Sequence, residues 1–196
     1  MFELYEAINS IYCYPDSNVL VNKLNIHDNK KLATVERKLV LLKLYTLRQN
    51  NNIGKFDIHH FLSIHKFLFE DIYPFAGKIR SEDIAKDSFR FAKWEYIEEQ
   101  LNDLLNKLAK DNLKDLNKED MSKKLAYYMS ELNVLHPFRE GNGRTIREFI
   151  RELAYVNGYS LDIKNVVPKE MLNACIESVV NTEHLENVIL KCLEKI

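Results

Sequence analysis

Apolar side chains return every three or four residues along most of the chain, and each such run predicts an amphipathic helix. The first covers Lys30 to about Gln49, where Leu32, Val35, Leu39 and Leu42 share a face, and the polar stretch Asn50 to Gly54 ends it. A second covers about Asp57 to Asp71 and turns Ile58, Phe61, Leu62, Leu68 and Phe69 inward. Trp94, Ile97, Leu101, Leu104 and Leu108 mark a third, with Trp94 as a core anchor, before a charged connector from Lys110 to Lys118. Met121, Leu125, Met129 and Leu132 mark a fourth that stops at Pro137. Ile146, Phe149, Ile150 and Leu153 mark a fifth that stops at Gly158. Two more follow, one opening near Pro168 with Leu172, Cys175, Ile176 and Val179, the other carrying Leu185, Val188, Ile189 and Cys192. The period changes in one place: Ile79, Ile84, Phe89 and Phe91 are separated by polar residues and Phe89-Arg90-Phe91 alternates, which predicts one short β-hairpin. Residues 1 to about 28 show neither period and read as an irregular arm packed through Tyr12, Tyr14 and Pro15.

Composition agrees with this pattern. Glycine and proline number only 5 and 4 in 196 residues, too few for the turns of an all-β fold. The expected class is therefore all-α, a helical core with one short hairpin, in which residues 1–55 form an arm and helix packed on a domain of residues 56–196. At 46% hydrophobic and 29% charged residues the chain has the makeup of a folded globule. A net charge of −1 gives no overall attraction to nucleic acid or to an anionic membrane, and acidic residues interleave with the lysines of the connector. The longest apolar runs are far shorter than the ~20 residues of a membrane-spanning helix. Met-Phe-Glu-Leu-Tyr-Glu lacks the features of an export signal, and Cys13, Cys175 and Cys192 are too scattered for a disulfide frame, which together point to the cytoplasm. His59, His60 and His65 lack the i,i+4 spacing that puts two metal ligands on one helix face.

Chemistry concentrates in His136-Pro-Phe-Arg-Glu-Gly-Asn-Gly-Arg-Thr-Ile-Arg147. Two of the five glycines fall here, and Gly141-Asn142-Gly143 leads straight into the fifth helix. Such a turn can aim several backbone N–H groups at one anion, with the helix dipole adding a positive field. Arg144 and Arg147, one helical step apart, offer two guanidinium forks for phosphate. Glu140 suits an Mg²⁺ ion shared with phosphate oxygens, and His136 is the group able to take or give a proton near neutrality. The plainer reading of the same residues is a tight turn capped by Asn142 and followed by a solvated Arg-rich helix face. The pattern is neither a P-loop nor a dinucleotide-binding fingerprint.

The twelve residues resemble the signature of Fic-domain proteins, HPFx[D/E]GNGRxxR, at every defined position. Phe75-Ala-Gly-Lys-Ile-Arg80 and Lys86-Asp-Ser-Phe-Arg-Phe-Ala92 resemble the flap segment of that family, with Asp87 where many members carry glycine. The arm from Tyr12 to Leu24 resembles the N-terminal segment of Fic toxins and type IV secretion effectors. The resemblance implies a Fic-fold helical core and transfer of AMP from ATP to a Ser, Thr or Tyr hydroxyl of a target protein, with release of pyrophosphate. His136 is then the base, Glu140 the Mg²⁺ ligand, and Phe138, Gly141, Asn142, Gly143, Arg144 and Arg147 the nucleotide site, with Asn142 and the loop amides on the α-phosphate. Ile84, Phe89 and Phe91 of the flap would dock the target as an added strand. Transfer of another phosphate-containing group, or nucleotide or partner binding without catalysis, are the alternatives. Thr182-Glu-His-Leu-Glu186-Asn187 matches the family's inhibitory pattern [S/T]xxxE[G/N], while the same segment has the pattern of a last core helix. The expectation is inhibition by a small antitoxin in trans, with self-inhibition through Thr182 and Glu186 as the alternative, in a cytoplasmic toxin or a delivered effector.

Overall fold

The computed structural model describes residues 10–49, 53–86, 89–164 and 166–196. Its elements run α1 (Asn29–Gln49), α2 (Ile58–Phe69), β1 (Ala85–Lys86), β2 (Phe89–Arg90), a 3₁₀ turn (Trp94–Tyr96), α3 (Ile97–Lys110), α4 (Lys118–Leu135), α5 (Asn142–Val156), β3 (Tyr159–Leu161), α6 (Pro168–Glu177), α7 (Glu183–Cys192) and β4 (Leu193–Lys195). The seven helices expected from the periodicity are all present among the described residues. Asp57 caps α2 by accepting from the His60 N–H at 2.9 Å, and Asn117 caps α4 by accepting from the Asp120 N–H at 2.8 Å. Each cap fixes where its helix begins and contributes about 1 kcal/mol. Pro168 opens α6 at its first turn, where its missing N–H costs nothing.

Helix α4 is the axis of the molecule, packed on by α3, α5 and α7. Met121, Leu125, Tyr128, Met129 and Leu132 are all at most 1% exposed, so apolar side chains leave this helix on more than one side. Polar residues on it are satisfied internally, as where the Ser130 hydroxyl donates to the Ser178 carbonyl at 2.9 Å. Helix α5 is fastened to α1 by the ion pair of Arg48 with the buried Glu148 carboxylate at 2.7 Å, and the His60 ring of α2 packs 2.8 Å from the buried Glu152 carboxylate. The His60 ring thus serves packing between helices. The arm joins the same core: Tyr12 meets the Phe75 ring edge-on at 5.2 Å and Tyr14 lies on His27 at 4.0 Å, while residues 1–9 are outside the described part.

Two expectations are corrected. Besides the hairpin of β1 and β2, the structure has a second antiparallel pair, β3 with β4, in register Tyr159 to Lys195 and Leu161 to Leu193. Three-residue strands are too short to show alternation, and Leu193 extends the helical spacing of α7, so the pattern hid them. Trp94 is 41% exposed on the 3₁₀ turn, and Ile97, fully buried one turn on, is the anchor instead. Cys192 is buried and Cys13 and Cys175 are half-buried, as core and boundary residues should be.

Candidate active site

The loop between α4 and α5 is shaped by what cannot remain helical. Pro137 removes the next helical hydrogen bond, and His136 ends α4 in the left-handed region at φ 46°, its N–H still donating to the Leu132 carbonyl at 3.0 Å. Phe138 then plunges into the core with no exposed surface, stacked on His65 at 3.7 Å and on Phe61 at 5.4 Å. It anchors the loop and has no face left for a nucleotide. Asn142 is likewise turned inward: its carboxamide oxygen accepts from the Phe138 N–H at 2.8 Å and its nitrogen donates to the Phe138 carbonyl at 2.7 Å. The side chain assigned from the sequence to the α-phosphate, or to a helix cap, instead locks the loop to its own first turn. Gly141 holds the N-cap position at φ 85°, and a Cβ there would sit 2.4 Å from Phe69.

His65, which the sequence reading left aside, ties this loop to the flap approach. Its Nδ1 accepts from the Gly77 N–H at 2.8 Å, so Nε2 carries the proton and donates to the Glu140 carbonyl at 2.9 Å. Burial, helped by the nearby Arg144 charge, drives its pKa down to about 3, against 6.5 for a free imidazole. Between these values the unfolded chain binds a proton that the folded chain refuses. Stability from this site is therefore complete above about pH 6.5 and is lost as pH falls, by about 2 kcal/mol at pH 5. Urea midpoints at pH 7 and pH 5 should differ less in His65→Gln than in the parent; an equal difference would assign the acid sensitivity elsewhere.

His136 itself lies at the mouth of the loop with 6% of its surface exposed. Its Nδ1 faces the Asn133 carbonyl at 3.1 Å, an acceptor only, so Nδ1 carries a proton and donates it there. One face of the ring is covered by Phe91 of the flap at 3.9 Å. Of the other flap residues, Phe89 packs edge-on against Phe91 at 5.1 Å, whereas Ile84 is only 3% exposed and acts as the hairpin's anchor, so it has no surface for docking. Asp87 lies outside the described residues.

The charges gather at the start of α5. Arg144 donates to Glu36 of α1 at 2.5 Å and to Glu140 at 3.2 Å, and its guanidinium lies over the Phe69 ring at 4.7 Å. Burial alone would lower its pKa, but the two carboxylates outweigh that and hold it above the usual range. Glu140 also accepts from the Gly141 N–H at 2.8 Å. Arg147 folds back over Gly143, whose added Cβ would meet a guanidinium nitrogen at 2.9 Å, so both arginines stand at the N-terminus of the helix. Glu36, only 2% exposed, also receives the Tyr73 hydroxyl, whose pKa burial and the carboxylate push far up. The available signal was its position: Leu32, Glu36 and Val40 fall at i, i+4 and i+8 on the inward face of α1. Glu36→Ala should cost about 2–3 kcal/mol in urea unfolding by leaving Arg144 half-paired; a loss below about 0.5 kcal/mol would make the pair a surface contact.

Thr182 and Glu186 do not join this site. The Thr182 hydroxyl donates to Glu186 at 2.6 Å, and both line a cleft with Lys107, Asp111, Asp120, Lys124 and Tyr127 at the N-terminal half of α4. Even Tyr127 precedes His136 by nine residues, about 13 Å along the helix axis. Glu186 thus belongs to the last core helix, as its neighbours Leu185 and Val188 do.

The Fic/DOC family model matches residues 55–154. The chain is 41% identical over 188 residues to protein adenylyltransferase VbhT of Bartonella schoenbuchensis, an alignment covering 95% of this chain and 39% of that protein's length. It is 36% identical to the probable protein adenylyltransferase y4lH of Sinorhizobium fredii, covering 89% and 90% of the two chains. Among solved structures it is similar to the BepC effector of Bartonella tribocorum with bound AMPPNP, at a TM-score of 0.89 and 26% identity over 94% of this chain and 97% of that one. On the strength of its loop, its fold and these matches, the chain belongs to the Fic/DOC family.

Proposed function

We propose that the chain is a protein adenylyltransferase that moves AMP from ATP to a Ser, Thr or Tyr hydroxyl of a target protein. One observation carries this reading: His136, its Nδ1 held on the Asn133 carbonyl, stands at the start of a loop that runs into a helix N-terminus bearing two arginines. Nε2 takes the proton of the target hydroxyl, whose oxygen attacks the α-phosphorus as the bond to pyrophosphate breaks. The Gly141 to Gly143 backbone and the dipole of α5 hold the α-phosphate, and Arg144 and Arg147 neutralise the leaving β- and γ-phosphates. Phe138 and Asn142 act by shaping the loop. Glu140 fits an Mg²⁺ site, because its carboxylate is fixed by the Gly141 N–H beside the phosphate cradle and a nucleotide supplies the remaining oxygens. When bound, that ion neutralises phosphate charge, and Arg144 trades its Glu140 contact for the nucleotide. The similarity to proteins named as adenylyltransferases and to a structure holding an ATP analogue supports the reading.

The target adds along the flap, with Phe89 and Phe91 rather than Ile84 toward it. With Glu186 placed at the opposite part of α4, inhibition comes in trans, from a small antitoxin supplying the blocking carboxylate. The chain acts in the cytoplasm, its own or that of a cell into which it is delivered; among the described residues no helix is long and apolar enough to cross a membrane. Pyrophosphate release from ATP and Mg²⁺ in the presence of a bacterial lysate tests the reaction. Pyrophosphate appearing with the parent and absent with His136→Ala is the expected result, and release of ADP instead would overturn it.

A further inference from the structure

Arg80, at the entrance to the flap, is 1% exposed, among the most deeply buried large side chains of the molecule. A guanidinium so placed must have its charge spread over acceptors, and these include four backbone carbonyls, with the Asp83 carboxylate further off at 3.9 Å. Nε donates to His136 at 2.9 Å, Nη2 to Leu135 at 3.3 Å and to Ala92 at 2.5 Å, and Nη1 to Glu82 at 2.6 Å. Glu82 and Ala92 are the two ends of the flap, and Leu135 and His136 are the end of α4. The backbone repeats the link, since the Arg80 N–H donates to the Pro137 carbonyl at 2.9 Å and the Ala92 N–H to Val134 at 3.2 Å. Phe91, one residue before Ala92, lies on the His136 ring at 3.9 Å. One planar donor set therefore fixes both feet of the flap and the carbonyl of a residue held in the left-handed region, where few backbone contacts are ready-made.

We infer that Arg80 is a positioning residue that, together with Phe91, makes the flap and the His136 imidazole one mechanical unit, so that seating a target strand also sets the base. This rests on His136 being the base of the reaction. Arg80 touches no reacting atom, and its effect passes through the His136 backbone and the Phe91 ring. A lysine at 80 keeps the charge but cannot reach four carbonyls in a fixed plane. A misplacement of the base by about 1 Å costs on the order of 10²-fold in rate, whereas the phosphate cradle on α5 is left as it was.

The test compares the parent, Arg80→Lys and Phe91→Leu for transfer from α-labelled ATP to lysate protein, with His136→Ala as reference. Both variants should lose about 10²-fold in apparent kcat while KM for ATP stays within about twofold. In spectra of the ring-labelled protein, the His136 resonance should shift or broaden in both variants, and in Arg80→Lys it should also lose its contact with the Phe91 ring, a signal read without any turnover. Parent kinetics and an unmoved His136 resonance in folded Arg80→Lys would overturn the inference. So would a rise in KM for ATP matching the fall in kcat, which is the mark of a collapsed loop. If Arg80→Lys does not fold, Phe91→Leu decides by the same two readings. A parent that transfers label no better than His136→Ala would refute the proposed base, and the spectra alone would then judge the coupling of flap and ring.

Discussion

Replacing His136 by alanine lowers the rate of AMP transfer by about 10²- to 10⁴-fold and leaves ATP affinity within about twofold. The size follows from the role: a positioned base removes a proton as the hydroxyl attacks, and solvent is a poor substitute. The split between rate and affinity follows from the geometry. Nδ1 is engaged with the Asn133 carbonyl and the ring lies against Phe91, so the imidazole is set by α4 and the flap. The cradle is set separately, by Gly141, Gly143 and the arginines of α5. Single-turnover transfer and binding of a non-hydrolysable ATP analogue, measured on the same preparations, check both halves. A variant that transfers at the parent rate removes His136 from the chemistry, and one that loses rate and binding together makes it a residue of the nucleotide site.

Gly141→Ala carries the second large effect, this time on stability. The residue is at φ 85°, where a Cβ costs about 1–2 kcal/mol, and that Cβ would stand 2.4 Å from the Phe69 ring. Overpacking of this kind adds about 1–3 kcal/mol, because Phe69 is itself fully buried and lies under the Arg144 guanidinium. The sum, about 2–5 kcal/mol, corresponds to a fall of about 5–15 °C in Tm for a chain of this size. Thermal unfolding of the parent and Gly141→Ala measures it directly. A Tm within about 2 °C of the parent would mean that the loop reshapes freely and that its glycine is not dictated by the fold.

The helices and the reactive loop were legible in the sequence because both are local. Periodic apolar residues define a helix within its own span, and twelve consecutive residues carry the base, the carboxylate, the glycines and the arginines. What the sequence concealed depends on long-range placement. Glu36, His65 and Arg80 reach the site from α1, α2 and the flap approach, and nothing in their own neighbourhoods names the partner they will meet. Two site residues were assigned to the ligand and turned out to serve the backbone. Phe138 and Asn142 look exposed in a polar, glycine-rich stretch, yet the loop folds only because one is buried and the other bonds to it. Glu186 is a different case: its six-residue pattern falls on the last core helix, one of the two readings open in the sequence, and the packing of α7 on α4 sets it beside the N-terminal half of α4.

The central claim, that His136 directs attack on the α-phosphorus of ATP, is tested most directly by label position. Purified protein and a bacterial lysate are incubated with Mg²⁺ and ATP labelled on either the α- or the γ-phosphate. Label on protein from the α position alone, and only with His136 intact, is the expected result. Label carried over from the γ position would mean phosphoryl transfer and would contradict it.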